Sequence, residues 1–227
     1  MESLQLLNNV AHAGLRMRAS GDGPAPFVRI VTSEIPAAAA ACPILFSKHA
    51  ETGRFYLGAL IGLKPGENLL DSPDGRAAFR PLEADREGFF TADENIALDP
   101  DHPRFSIEDG NPLFEADGQP SAPLRAVQNA LGRLVAGTET TEAFIAALLS
   151  HRLIESIDIA LSFDDGETLR LDGLYTVSLD SLDDLDDGAV VSLFRVGHLR
   201  LAYAMAGSLQ HVSLMARRRN DKLGRFG

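Results

Sequence analysis

Apolar positions along the chain change period several times, and each change marks a predicted element. Residues 27–31 alternate and are rich in branched side chains, which predicts a short strand after the Gly21-Asp22-Gly23-Pro24-Ala25-Pro26 punctuation. Residues 34–41 are alanine-rich, with Pro36 in the first turn, where its missing N–H costs nothing, and Pro43 beyond the end. They predict a short helix capped by Thr32 or Ser33. Two apolar runs, 43–48 and 54–63, flank His49-Ala50-Glu51-Thr52-Gly53 and predict a buried hairpin with Gly53 in its turn.

Residues 64–123 are dense in Pro, Gly, Asp and Asn, with strand-like pieces at 89–98 and 104–108 among the turns Asp74-Gly75, Asp109-Gly110 and Asp117-Gly118. They read as a loop-rich β layer. Leu124, Val127, Leu131 and Leu134 stand at helical spacing and predict a helix over 122–134, with a second over 140–149 after Gly137-Thr138. Residues 153–163 and 167–179, split by Asp164-Asp165-Gly166, predict another hairpin, with Ile157, Ile159, Leu161 and Phe163 on one face. Ser181 caps a predicted helix whose carboxylates lie at the positive end of its dipole, and Gly197 separates it from a longer helix, 198 to about 218. With no internal repeat and no long linker, the expectation is an α+β fold: one domain over 1–227, antiparallel hairpins packed with helices, closing on a C-terminal helical pair.

Composition narrows the class. At 45% hydrophobic and 23% charged residues, the chain has the balance of a globular protein and not of a disordered one. A net charge of −11 repels phosphate backbones and anionic lipid heads, so nucleic acid is not an expected partner. One cysteine, Cys42, excludes an internal disulfide and a multi-thiolate metal site. The N-terminal residues lack a continuous apolar core of signal-peptide length, and the longest near-apolar stretch, 55–63, is broken by Gly58 and Gly62. The expected setting is cytoplasmic, without membrane insertion. Residues 215–227 carry Arg217, Arg218, Arg219, Lys222 and Arg225 against Asp221, a local +4, and are expected to fray beyond Arg218.

Few constellations carry chemistry. The run Asp180, Asp183, Asp184, Asp186, Asp187, Gly188 fails calcium-loop spacing, because counting from Asp183 puts Leu185 third and Phe194 twelfth. A capped, solvated helix start explains it better. The histidines (His12, His49, His102, His151, His198, His211) include no pair at metal-ligand spacing. No Gly-x-Ser-x-Gly elbow or phosphate-cradling glycine loop is present, and Cys42 reads as a small buried hydrophobe. No metal, cofactor or catalytic residue is therefore assigned. The most distinctive stretch is Gly62-Leu63-Lys64-Pro65-Gly66-Glu67-Asn68-Leu69, a strand running directly into a Pro-Gly turn.

The order of short motifs resembles the bacterial SapC-like family over about residues 6–214. Leu7-Asn8 with His12 and Arg16, Ser33-Glu34 leading into Pro43-Ile44-Leu45-Phe46, and residues 60–69 carry it, followed by Pro81, Arg86 and Phe89. Residues 112–118, Leu171-Asp172-Gly173-Leu174-Tyr175, Gly197-His198-Leu199, Tyr203-Ala204 and Ser208-Leu209 match the later elements. Three departures stand out: this chain has no tryptophan, Asp85-Arg86 replaces two adjacent arginines, and Met205 stands where a histidine often follows Tyr-Ala. The family takes its name from a gene linked to surface-layer protein secretion. Many members are similar to proteins encoded beside TonB-dependent receptors, tryptophan-halogenase-like enzymes and cupin-like oxygenases.

What the resemblance implies is a cytoplasmic accessory protein that binds a partner enzyme or a small-molecule ligand. The alternative is a metal-dependent oxygenase-like enzyme using scattered side chains such as His12 with Glu67. The motif-borne polar residues Glu67, Asn68, Arg86 and His12 are the expected lining of a ligand site.

Overall fold

The computed structural model describes residues 4–18, 25–70 and 78–224. Its elements in chain order begin with β1 (Gln5–Leu6), β2 (Arg16–Met17) and β3 (Phe27–Arg29), then a 3-10 turn (Thr32–Glu34) and α1 (Ile35–Ala39). β4 (Ile44–Lys48), β5 (Phe55–Leu60), α2 (Leu82–Asp85), β6 (Phe89–Ala92), β7 (Asn95–Leu98), β8 (Phe105–Ser106) and β9 (Asn111–Pro112) follow. The second half holds α3 (Ala122–Ser150), β10 (Ile154–Ser162), β11 (Thr168–Val177), α4 (Leu179–Asp183), α5 (Asp187–Arg195), α6 (His198–Ser208) and α7 (His211–Leu223). All strand pairings are antiparallel, and the architecture is α+β. The Asp74-Gly75 turn, the Gly21-to-Pro24 punctuation and Arg225 lie outside the described residues.

The chain gathers into two compact units, residues 1–24 with 80–136 and residues 25–79 with 137–227. In the first, two small sheets ordered β1-β7-β6 and β8-β2-β9 close over Met17, Phe89, Leu98, Phe105 and Leu113. Leu124, Val127 and Leu131 of α3 complete that core, which is what their helical spacing requires. Arg104 is buried and donates from Nη1 to the carbonyls of Asp85 (2.7 Å) and Glu87 (2.8 Å), pinning the turn that leads into β6.

The second unit is built on a five-stranded sheet ordered β10-β11-β4-β5-β3. Alternation divides its side chains. Ile44, Phe46, Leu57 and Ala59 join Ile35 and Ala38 of α1, Phe144, Ile145 and Leu148 of α3, and Ala202 and Met205 of α6. Leu45, Leu60, Ile159 and Leu174 belong to the clusters that include Val212, Met215 and Leu223 of α7. The sheet is thus covered on both faces.

Several predicted boundaries move. The two helices expected on either side of Gly137 are one helix, α3. Gly137 is a point of close approach: a Cβ there would lie 2.7 Å from Val31 Cβ. Within the continuous helix its carbonyl accepts from the hydroxyls of Thr140 (3.0 Å) and Thr141 (2.7 Å). The cap assigned to Ser181 belongs to Ser178, whose hydroxyl accepts from the Ser181 amide, and Asp186 caps a further helix by accepting from Ala189 N at 2.9 Å.

The long C-terminal helix is two helices broken at Leu209-Gln210, because Ser208 Oγ accepts from Ile44 N (2.9 Å) and fixes the end of α6 to β4. The break lets the chain pass to the other sheet face as α7. That helix does not fray at Arg218 but runs to Leu223, held by buried Arg219 and by Lys222 Nζ donating to the Asn68 carbonyl at 2.6 Å.

Replacing Gly137 by Ala should lower stability by about 1 kcal/mol, because overpacking Val31 at ~1–3 kcal/mol exceeds the ~1 kcal/mol helix gain. Thermal denaturation reads this as a lower melting temperature. An unchanged or raised value would contradict the close approach.

Candidate functional site

A groove of about 720 Å³ opens in the second unit, between the tip of the β4–β5 hairpin, the end of β3 and the C-terminal half of α3. Its size is that of a small-molecule site, typically ~300–1,000 Å³. Leu149 and Ala146 supply exposed apolar lining over the buried Ile30, Val31, Leu57 and Ile145, and α3 can form that wall because Thr141 Oγ1 accepts from the Thr32 amide at 3.0 Å.

Cations line the same groove. The register sets Lys48 opposite Phe55 and Ser47 opposite Tyr56, so both strands deliver polar and aromatic groups to one end of the hairpin. Arg29 donates from Nη2 to the Nε2 of His49, and its guanidinium stands 5.3 Å from the centre of the Tyr56 ring. The His49 and Tyr56 rings are 4.8 Å apart. Lys48 Nζ lies 4.7 Å from each of the Phe55 and Tyr175 ring centres. Arg54 pairs with Glu142 at 3.0 Å, the one carboxylate in the lining among the described residues. Among the described residues, Arg29 and Lys48 form no ion pair. Their side chains are instead ordered by aromatic and imidazole contacts, which hold a cation without neutralising it.

None of the four residues expected from the sequence lines this groove. Glu67 and Asn68 share one turn in the second unit, whereas His12 and Arg86 lie in the first. Glu67 Oε2 accepts from the Leu63 amide at 2.9 Å and stands 3.5 Å from Arg219 Nη1. Gly62 is required there, since a Cβ would come within 2.0 Å of the Glu67 carbonyl oxygen. Arg219 also donates to Glu167 Oε2 at 2.8 Å and lies 4.5 Å from the centre of the Phe163 ring, while Arg218 donates to the Leu69 carbonyl at 3.0 Å. Asn68 Oδ1 accepts from Leu70 N at 2.9 Å. The distinctive turn is therefore tied down by α7.

Arg86 pairs with Glu83 and donates to the Phe89 carbonyl at 3.1 Å. His12 is buried: Nδ1 accepts from the Asn8 amide at 3.2 Å and Nε2 lies 3.2 Å from Gln5 Oε1. Cys42 is buried in the sheet-and-helix core, and that burial pushes its thiol up to about 12, which favours the protonated form. The described residues contain no group of three or more His, Cys, Asp or Glu side chains able to hold a metal ion. No described helix is long and apolar enough to cross a membrane.

The fold and groove define an α+β protein with a preformed, cation-lined cleft of ligand size. The SapC family model matches residues 7–215, and the chain belongs to that family. No curated protein and no solved structure matches it.

Replacing Glu67 by Ala should cost about 1–3 kcal/mol, because it strands the Leu63 amide and removes a carboxylate from buried Arg219. Chemical denaturation measures it. Undiminished stability would return Glu67 to the pool of ligand-facing residues.

Proposed function

We propose that this SapC-family chain is a non-catalytic binding protein that holds a small-molecule ligand in the groove beside α3. One observation carries the reading: an apolar cleft already formed in the chain, with ordered cations in its lining and its one carboxylate tied to Arg54. Such a lining suits recognition. Bond-breaking chemistry by general acid and base would call for titratable groups set against each other with a reacting atom between them.

The resemblance to proteins encoded beside receptors and oxygenases supports a cytoplasmic accessory role, in which the bound molecule is passed to or sensed for a partner enzyme. Surface-layer involvement is the other setting that the family name suggests, and it is compatible with the same groove.

Native mass spectrometry of protein purified from its own host, combined with metal analysis under anaerobic conditions, tests this. The expected result is a metal-free chain carrying a small-molecule adduct that denaturation releases. Stoichiometric iron would replace the binding reading with the oxygenase-like one.

A further inference from the structure

The groove's chemistry goes further than ligand binding in general. We propose that it selects a small organic oxyanion, a carboxylate or a phosphate monoester, attached to an apolar body. This rests on the binding reading above and deepens it.

The argument for the anion is charge placement. Arg29 and Lys48 stand in the groove lining ordered by rings, and neither forms an ion pair among the described residues. Arg29 uses one donor, Nη2, on His49, and the Tyr56 ring lies beside its guanidinium. That arrangement fixes the planar fork while leaving further N–H donors for a bidentate acceptor. A guanidinium ordered before binding loses less side-chain entropy when an anion arrives.

The apolar body follows from the rest of the lining. Leu149, 45% exposed, and the exposed Ala146 present apolar surface on α3, and the half-buried Phe55 ring adds to it, while Ile30, Leu57 and Ile145 lie buried beneath. A bare inorganic anion would leave the Leu149, Ala146 and Phe55 surface uncovered and gain nothing from it. A ligand with both parts uses both, and Arg54 stays neutralised by Glu142 at 3.0 Å as part of the wall.

Isothermal titration of the purified full-length chain with four probes tests the proposal: 3-phenylpropionate, its neutral amide, 2-phenylethyl phosphate and inorganic phosphate. At least one of the two organic anions should bind at least tenfold more tightly than the amide, and inorganic phosphate should bind more weakly still. The ratio of the two organic anions identifies which oxyanion the fork prefers. Arg29→Gln, at an exposed position, should cost about tenfold for the organic anions and leave the amide unchanged. Ala146→Trp, on the exposed face of α3 that lines the groove, should abolish binding of every probe; both variants should keep the native circular-dichroism melt.

Equal affinity for the anions and the amide, or full anion affinity in Arg29→Gln, overturns the oxyanion assignment while the binding reading stands. Binding of the organic anions undiminished in Ala146→Trp moves them out of this groove and overturns the assignment too. Absence of binding by all four probes overturns the proposed ligand class, and the adduct experiment on native protein then decides the binding reading separately.

Discussion

The groove depends on one close contact, the passage of α3 over Val31 at Gly137. The helix can come this near because residue 137 has no Cβ, and a Cβ would meet three side-chain carbons of Val31 at 2.7 to 2.9 Å. Thr32, one residue further on, then takes hold of the helix: its amide donates to Thr141 Oγ1, and its hydroxyl lies 3.0 Å from that of Thr140. With that segment fixed, Ile145 and Leu149 follow at one-turn intervals and become the wall facing β5. A helix ending at Gly137 would have left the hairpin tip with no wall at all.

Charge is handled in two contrasting ways in the same unit. Buried Arg219 meets Glu67 and Glu167, and its work is to hold α7 against the turn and the β10–β11 hairpin. Removing either side of such a buried arrangement leaves an uncompensated charge, so the cluster is structural in effect whatever its net contribution to stability. Arg29 and Lys48, at the other end of the sheet, are ordered by rings without being neutralised. Arg219 is held by carboxylates, whereas Arg29 and Lys48 are held by rings.

The β4–β5 and β10–β11 hairpins were legible in the sequence, because alternation and a glycine turn are local signals; Gly53 does take a positive φ of 65°. The α+β class followed from them. Gly137 misled because a glycine in a helical run signals a break unless a neighbour requires its missing side chain, and Val31, 106 positions away in sequence, supplies that requirement. The α6–α7 break was equally hidden, resting on Ser208 accepting from the distant Ile44 amide. Motif-borne polarity pointed to Glu67, Asn68, Arg86 and His12. It gave no means of separating a carboxylate that holds its own turn from one that faces a ligand. The groove did leave a trace, Lys48-His49 and Arg54-Phe55-Tyr56 on either side of one hairpin turn, where cations and rings at matched register mark an end of the sheet too polar for core. Arg29 and α3 join that cluster only through tertiary structure.

A crystal structure of protein purified from its native host without added ligand tests the central claim most directly. Density for a small molecule in the groove, with an oxygen on the Arg29 guanidinium and an apolar part against Ala146 and Leu149, is the predicted result. A groove filled only by ordered water, with an organic molecule bound elsewhere on the chain, would contradict it.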